Sequence, residues 1–181
     1  MESNVDNFLV VFCGPSGVGK TTVAKLLSKE LARTHPTIHV QTDTIRRMIV
    51  IPSHDKEESR FVYSVLYEIA RKLLPFGYDV ILDGTFLRNS FRETAIRIAE
   101  FYRRNYIVVA LNADLTTLIE RNKTRSIEDF VPETTIAKFW VKFQYPVNGI
   151  IINMDLQSPE GCVNIILERM SDIIIKKHKL A

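Results

Sequence analysis

Residues 14–22 of the chain have the composition of a phosphate-binding loop. Gly14, Gly19, Lys20 and Thr21 match the pattern G-x-x-x-x-G-K-[ST]. Glycines permit positive φ angles and let backbone N–H groups approach an anion, while the lysine supplies a charge for the β- and γ-phosphates. The threonine hydroxyl suits Mg²⁺. The predicted ATP-binding set is continuous: Gly14, Pro15, Ser16, Gly17, Val18, Gly19, Lys20, Thr21 and Thr22.

Two aspartates follow apolar, strand-like runs and are candidates for metal binding and proton transfer. Asp83 closes the run Val80–Leu82, which is the form of a carboxylate that holds Mg²⁺ directly or through water. Asp43 follows the run Ile38–Gln41 and is the better candidate to accept a proton from an attacking hydroxyl. An aspartate after a strand is often only a helix cap, but two beside a complete phosphate loop favour catalysis. The sequence leaves open which of the two is the general base.

Three arginines near these aspartates are candidates for binding the phosphate acceptor. Arg46 lies one helical turn after Asp43, and Arg88 and Arg92 follow Asp83. Guanidinium groups pair with phosphate or carboxylate through two hydrogen bonds at once. The three arginines therefore predict an anionic acceptor, with a surface position at a helix start as the alternative for Arg88 and Arg92.

A basic segment later in the chain predicts a lid over the bound nucleotide. Arg121 and Arg125 are four residues apart, so we expect them to share a helix face. A lid over approximately residues 121–132 would exclude water and bring both guanidinium groups to the transferred phosphoryl group. The alternative is a solvated basic face paired with Glu120 and Glu128.

The elements that must position these residues alternate between strand-like and helical patterns. Such alternation is typical of an α/β fold with a parallel sheet and helices on both faces. We expect a single domain over residues 1–181, a three-layer P-loop NTPase fold with a five-stranded sheet and a small lid. Ligands in such sheets bind beyond the carboxyl ends of the strands. The predicted strands are Phe8–Cys13, Ile38–Gln41, Val80–Leu82, Ile107–Leu111 and Gly149–Ile152.

Helix boundaries follow from apolar spacing and from capping residues. Residues 58–74 carry apolar side chains on one face, which predicts a helix there. Ser90 and Glu93 have the spacing of a capping box, so we expect a helix to begin at Ser90. Ser158 followed by Pro159 predicts the start of the last helix.

Composition places the chain among globular proteins without a membrane partner. Of its 181 residues 46% are hydrophobic and 25% are charged, and no apolar run is long enough to span a bilayer. The polar, acidic start of the sequence lacks the pattern of a secretory signal, so we expect a cytoplasmic protein. Cys13 and Cys162 form neither a metal motif nor a disulfide framework.

The chain is mildly basic, with a formal net charge of +3. This balance is compatible with anionic ligands but does not require a nucleic-acid partner. The run Lys176-Lys177-His178-Lys179 is the densest basic stretch near the end of the chain. It suits nucleic-acid contact, but a solvated helix end is the favoured interpretation.

Several other classes of nucleotide-binding protein fit the sequence less well. A regulatory GTPase needs N-K-x-D after a strand, whereas Asn122-Lys123-Thr124-Arg125 ends in arginine and follows a helical pattern. Transporter and helicase ATPases need signature segments or a second module, for which 181 residues leave no room. A non-catalytic nucleotide-binding module is the remaining alternative, but such a module has no need of Asp43 and Asp83 together with Lys20 and Thr21.

Taken together, the motifs resemble the small P-loop kinases that include polynucleotide 5′-hydroxyl kinases, gluconate kinases and zeta-toxin-like kinases. The resemblance covers roughly residues 8–146 and rests on G-P-S-G-V-G-K-T-T, T-D-T-I-R-R, V-I-L-D-G-T-F-L-R-N-S-F-R-E, L-I-E-R-N-K-T-R and F-Q-Y-P. It implies an ATP-dependent kinase with an alcohol group as acceptor. The resemblance implies that Lys20 and Thr21 bind phosphate and Mg²⁺ and that Arg121 and Arg125 serve the lid. It also implies that Asp43 is the base, that Arg46 holds the acceptor, and that Asp83 supports the metal and the acceptor site.

The identity of the acceptor is the least determined part of this interpretation. A small, hydroxyl-bearing, anionic metabolite is the first choice, because three arginines are predicted on the acceptor side. A polynucleotide 5′-hydroxyl is the second, since it would require a basic track and stacking aromatic residues that one sequence does not locate. Adenylylsulfate is a further alternative, because adenylylsulfate kinases share the D-x-x-R feature.

Overall fold

The computed structural model describes residues 6–53, 55–127 and 129–180. Within them, the strands in chain order are β1 Phe8–Cys13, β2 Thr37–Gln41, β3 Asp79–Asp83, β4 Asn105–Asn112 and β5 Ile150–Asn153. The helices are α1 Lys20–Leu31, α2 Thr42–Arg47, α3 Lys56–Leu73, α4 Asn89–Phe101, α5 Leu115–Lys123, α6 Glu133–Lys142 and α7 Pro159–Leu180.

All five strands are parallel and lie in the order β2-β3-β1-β4-β5. Alternate residues of β1 face opposite sides of the sheet, and both sides are covered. Phe8, Val10 and Phe12 pack in the core that α1 and α7 share, whereas Leu9 and Val11 pack in the core formed with α3 and α4. The three-layer α/β fold with a five-stranded parallel sheet is therefore confirmed.

The strand register brings the predicted site residues together at the end of the sheet formed by the carboxyl ends of the strands. Phe12 of β1 and Gln41 of β2 both pair with Asp83 of β3. The segments that follow these three positions are the phosphate loop, α2 and the β3–α4 loop. They leave the sheet together at the carboxyl ends of their strands, which is where parallel sheets bind ligands.

The start of α4 differs from the prediction. The helix begins at Asn89, and its N-cap residue is Arg88 rather than Ser90, with no capping side chain. The Asn89 N–H instead donates to Oε1 of Gln144 at 2.9 Å, so a distant segment satisfies an N–H group that a capping box would have served. The cap predicted at Ser158 is present, since the Gly161 N–H donates to Ser158 Oγ at 3.0 Å.

The two cysteines are buried and unpaired. Burial raises the pKa of the Cys13 thiol to about 11, an effect that the nearby cations of Arg92 and Lys20 oppose. This thiol is therefore protonated at neutral pH and is unsuited to act as a nucleophile. Across the described part of the chain, every helix is too short or too polar to cross a membrane.

Candidate phosphate and metal site

The phosphate loop joins the end of β1 to the start of α1 and depends on glycine at its first position. Gly14 has φ of 143°, and a Cβ there would lie 2.3 Å from the carbonyl oxygen of Leu111. Its N–H donates to the carbonyl oxygen of Thr85 at 3.1 Å, which ties the loop to the segment after β3. At the other end, Gly19 has φ of 101° and is the N-cap residue of α1. The loop therefore opens onto a helix N-terminus, as phosphate binding requires.

Lys20 occupies the centre of the site. Its ammonium donates to the carbonyl oxygens of Gly14 at 3.0 Å and Pro15 at 2.8 Å. Burial lowers the pKa of Lys20, while the carboxylates of Asp83 and Asp43 raise it. Arg125 also lowers it, so this lid arginine and both aspartates lie within electrostatic range of the lysine. The structure thus brings together four of the predicted catalytic side chains.

Thr21 and Asp83 meet at the start of α1 and the end of β3. The Thr21 hydroxyl donates to Oδ2 of Asp83 at 2.7 Å. A hydroxyl and a carboxylate are the oxygen donors that Mg²⁺ prefers, so this pair fits the predicted metal role. The described residues contain no group of three or more His, Cys, Asp or Glu side chains arranged for a metal ion. Any Mg²⁺ held here would therefore depend on phosphate oxygens and water for its other ligands.

His39 also contacts Asp83, although sequence analysis did not identify it. Its Nε2 lies 3.1 Å from Oδ2 of Asp83, and its side chain is only 10% exposed. His39 precedes Gln41 by two residues on β2, and Gln41 pairs with Asp83. The sequence alone does not indicate this contact. It can be recognised only once β2 and β3 are known to be neighbours, because His39 then lies two positions before the residue that pairs with Asp83.

On the side predicted to bind the acceptor, α2 carries Asp43 in its first turn and Arg46 in its last. Asp43 is exposed, so its carboxylate can be reached by a substrate. Arg46 forms an ion pair with Glu58, and these side chains are 18% and 7% exposed. Glu58 also accepts a hydrogen bond from Ser53 Oγ at 3.2 Å. The guanidinium group is thus held in place by a carboxylate from the first turn of α3.

Arg92 does not lie where the sequence led us to expect it. It is 2% exposed and donates to the carbonyl oxygens of Phe86 and Gln144 and to the side chain of Asn89. Its guanidinium carbon also lies 5.4 Å from the centroid of the Phe143 ring. These contacts use the guanidinium group inside the protein, so we correct the prediction that Arg92 binds the acceptor. Arg88 is exposed and retains that role as a prediction.

The segment after β3 has a strained backbone, which its hydrogen-bond partners stabilise. Phe86 has φ of 41°, in the left-handed region that is unfavourable for an aromatic residue. Its N–H donates to the Tyr63 hydroxyl at 2.9 Å. The Gln144 N–H donates to the carbonyl oxygen of Leu87 at 3.0 Å. The F-Q-Y-P motif, residues 143–146, therefore stabilises the loop that follows Asp83.

Replacing Arg92 with methionine is expected to lower the free energy of unfolding by about 3 kcal/mol, because one buried and two partly buried acceptors lose a charged donor. Urea denaturation measures the change. Arg97→Met is the matched control, since Arg97 is exposed on the same helix and its loss should matter little. A normal stability with a raised KM for the acceptor would instead support the original prediction for Arg92.

The predicted lid is only partly helical. Helix α5 ends at Lys123, so Arg125 lies beyond it, and the expectation that Arg121 and Arg125 share a helix face was wrong. Thr124 ends the helix, and its hydroxyl donates to the Arg121 carbonyl oxygen at 2.9 Å. Arg121 itself donates to the carbonyl oxygen of Met154 at 3.0 Å, so the two arginines have different surroundings.

Two contacts fix the lid segment. Asn122 is fully buried and makes a reciprocal pair with the Val131 backbone, at 2.8 and 3.1 Å, which closes the base of the segment. Arg47, at the end of α2, forms an ion pair with Asp129. This second contact joins the acceptor side to the lid. Glu128, suggested as an ion-pair partner in the lid, lies outside the described residues.

Comparison with known proteins agrees with this geometry. Residues 9–146 match the family model described as an AAA domain. The chain is 30% identical over 139 residues to the L-seryl-tRNA(Sec) kinase of Methanococcus maripaludis, an alignment that covers 76% of this chain and 53% of that protein. The chain therefore spans about half the length of this curated relative.

Solved structures share the fold across nearly the whole chain. A gluconokinase from Sinorhizobium meliloti 1021 superposes with a TM-score of 0.72 at 17% identity, covering 98% of both chains. The APS kinase of Mycobacterium tuberculosis gives a TM-score of 0.72 at 17% identity, covering 90% of this chain and 96% of that chain. On the match over residues 9–146, this chain belongs to the AAA domain family, and it has the fold of the small P-loop kinases represented by these two structures.

Proposed function

We propose that this protein is a Mg²⁺-dependent, cytoplasmic kinase that transfers the γ-phosphate of ATP to an alcohol group. The observation that supports this most directly is the cluster around Lys20, in which Thr21, Asp83 and Asp43 lie at one edge of the sheet. A module that only bound nucleotide would not need an exposed carboxylate beside the phosphate loop.

In this proposal some residues of the chain bind ATP and Mg²⁺, and another activates the acceptor. The loop N–H groups and Lys20 bind the phosphates of ATP, and Arg125 neutralises charge on the transferred group. Thr21 and Asp83 would hold Mg²⁺, which would supply positive charge to offset the negative charge of the phosphates. Asp43 accepts the proton of the attacking hydroxyl as the new O–P bond forms and the bond to the β-phosphate oxygen breaks.

For the acceptor we propose a small, anionic molecule with a free hydroxyl group. Arg46 is held beside Asp43 by Glu58, and Arg88 is exposed on the neighbouring loop, so two cations remain on this side. Glu58 already offsets part of the charge of Arg46. A single phosphate or carboxylate on the acceptor is therefore enough to balance the remaining positive charge of Arg46 and Arg88.

A second acceptor class is favoured by one specific comparison. The relative that is 30% identical over 139 residues is an L-seryl-tRNA(Sec) kinase. Its name indicates a seryl hydroxyl carried by a tRNA, which is also an alcohol acceptor. We therefore keep a hydroxyl attached to nucleic acid as the alternative for this chain.

A γ-phosphate transfer screen separates the two classes. Wild-type protein would be tested with sugar acids, phosphorylated metabolites, adenylylsulfate, 5′-hydroxyl oligonucleotides and seryl-tRNA, each at low and high salt. Transfer to a small anion supports the first proposal, whereas transfer to a nucleic acid that weakens steeply with salt supports the second. ATP binding without transfer and without ATPase activity would contradict both.

His39 provides a test of the metal role of Asp83. Removing the imidazole in His39→Ala frees the Asp83 carboxylate to rotate, so the Mg²⁺ concentration for half-maximal activity should rise by about 10-fold or more. His39→Gln, which can still donate a hydrogen bond, should lie closer to wild type. Titrating Mg²⁺ at saturating ATP measures the effect. An unchanged Mg²⁺ requirement in both variants would show that His39 does not position Asp83.

A further inference from the structure

A cavity of 1130 Å³ lies at the amino ends of β4 and β5, the end of the sheet opposite the phosphate loop. It is bounded by the turn before β4, the first residues of β4, the turn before β5 and part of α7. None of the residues assigned to the ATP or acceptor sites lines it. It is therefore separate from the site described above.

The cavity exists because β5 is shorter than its neighbour. β4 has eight residues and β5 has four, and their pairing begins at Val109 and Ile150. The first half of β4, residues 105–108, consequently has no β5 partner beside it. The chain enters β5 by a close approach at Gly149, where a Cβ would lie 2.8 Å from the Val108 carbonyl oxygen.

Among the described residues, those that line the cavity include four cationic side chains and no aspartate or glutamate: the cations are Arg103, Arg104, Arg169 and Lys177. Arg104 is the most buried of them, at 8% exposed, and donates to the carbonyl oxygen of Pro75. Exposed acidic side chains also lie near it on α7, Glu168 and Asp172 beside Arg169, and two others have identified partners. Glu100 accepts from the Tyr106 hydroxyl at 3.4 Å, and Asp6 pairs with His178 at 3.4 Å. In a chain whose formal net charge is only +3, four cations around one cavity are a marked local concentration.

The arrangement suits an extended anion better than a compact one. Arg103 and Arg169 are exposed on different elements, and Arg103 has φ of 54°, a left-handed conformation that is uncommon for arginine. Two partly exposed tyrosines, Tyr102 and Tyr106, add aromatic surface beside the cations. The volume exceeds the range of about 300–1,000 Å³ that is usual for small-molecule pockets.

The basic run near the end of the chain continues this surface. Lys177 lines the cavity, and its ammonium donates to Oδ1 of Asn105 at 3.2 Å. Lys176 and Lys179 lie beside it on the last turns of α7, and both are exposed. The stretch interpreted from sequence as a solvated helix end therefore borders a cationic cavity that contains tyrosines.

We propose that this cavity binds single-stranded nucleic acid, with arginine and lysine on the phosphodiester backbone and the tyrosines against bases. Cations that track a backbone, combined with aromatic surface for stacking, are the general features of sequence-tolerant single-strand binding. This proposal does not depend on the kinase reaction. It holds whether the phosphate acceptor is a small molecule or is attached to nucleic acid.

The test uses the full chain and a fluorescent, 5′-phosphorylated oligouridylate, whose blocked end prevents it from acting as an acceptor. Fluorescence anisotropy would measure Kd at low and high salt. The double variant Arg103→Glu/Arg169→Glu should weaken binding by about 10-fold or more and reduce the salt dependence. The matched control is Arg33→Glu/Arg60→Glu, which makes the same charge change at two exposed arginines outside the cavity.

The outcomes separate this proposal from the simpler explanations. Unchanged binding in the control variant and under a saturating non-hydrolysable ATP analogue is the expected result. Equal weakening in both double variants would mean that binding follows overall charge, and displacement by the analogue would place the strand in the phosphate loop. Displacement by inorganic phosphate at constant ionic strength would indicate a compact anion site. Each of these, or no binding by wild type, would overturn the proposal.

Discussion

Replacing Lys20 with alanine is expected to reduce the turnover number by about 100-fold or more, the usual cost of losing a charged contact to the transition state. The lysine bonds to loop carbonyls and lies within range of both site aspartates, so it occupies the position where phosphate charge must be neutralised. The measurement is steady-state kinetics on whichever acceptor the transfer screen identifies, at saturating ATP.

Lys25→Ala is the matched control for this prediction. Lys25 is exposed on the same helix, so its removal changes the net charge equally without touching the loop. Its turnover should equal that of wild type. Undiminished turnover in Lys20→Ala would remove the catalytic role proposed for Lys20, provided that thermal unfolding confirms that both variants fold.

Asp43→Asn is expected to produce the second large effect, a fall in turnover of about 100-fold or more with ATP affinity nearly unchanged. The amide keeps the shape of the side chain but cannot accept the hydroxyl proton. Asp43 is exposed on α2, whereas Asp83 is bonded to Thr21 and His39. These surroundings favour Asp43 as the base and Asp83 as the metal ligand.

Asp83→Asn serves as the comparison that can reverse this assignment. It should raise the Mg²⁺ requirement, because the amide is a poorer ligand for a hard cation. The conservative Asp172→Asn, at an exposed position on α7, should change neither quantity. If Asp43→Asn lost ATP affinity while Asp83→Asn lost only turnover, the two roles would have to be exchanged.

The parts of the site that depend on local patterns can be predicted from the sequence. The phosphate loop follows from residues adjacent in the chain, and Asp83 follows from its place at the end of an apolar strand. Both strand patterns and loop chemistry are encoded within short windows, so they can be recognised before the fold is known. The five strands were likewise recognised: the boundaries of β1 are as predicted, and those of the others differ by at most two residues.

Features that depend on distant partners were not predictable in the same way. Arg92 has the spacing of an arginine at a helix start, and only the folded structure shows that its guanidinium group is used internally, in part by Gln144, 52 residues away. His39 gives no signal along the chain, since its contact with Asp83 depends on the neighbouring strand. The end of α5 at Lys123 separated two arginines that an uninterrupted helix would have placed on one face.

The position of β2 at the edge of the sheet has a consequence for how proteins of this fold diversify. The strand pairs only with β3, whereas β1, which carries the phosphate loop, lies between two strands. Substitutions at exposed positions after α2, such as Met48 and Val50, therefore disturb few packed neighbours, while changes near the loop disturb the centre of the core. On the proposed assignment of this side to the acceptor, a change of acceptor would cost little stability, whereas a change in the phosphate loop would cost more.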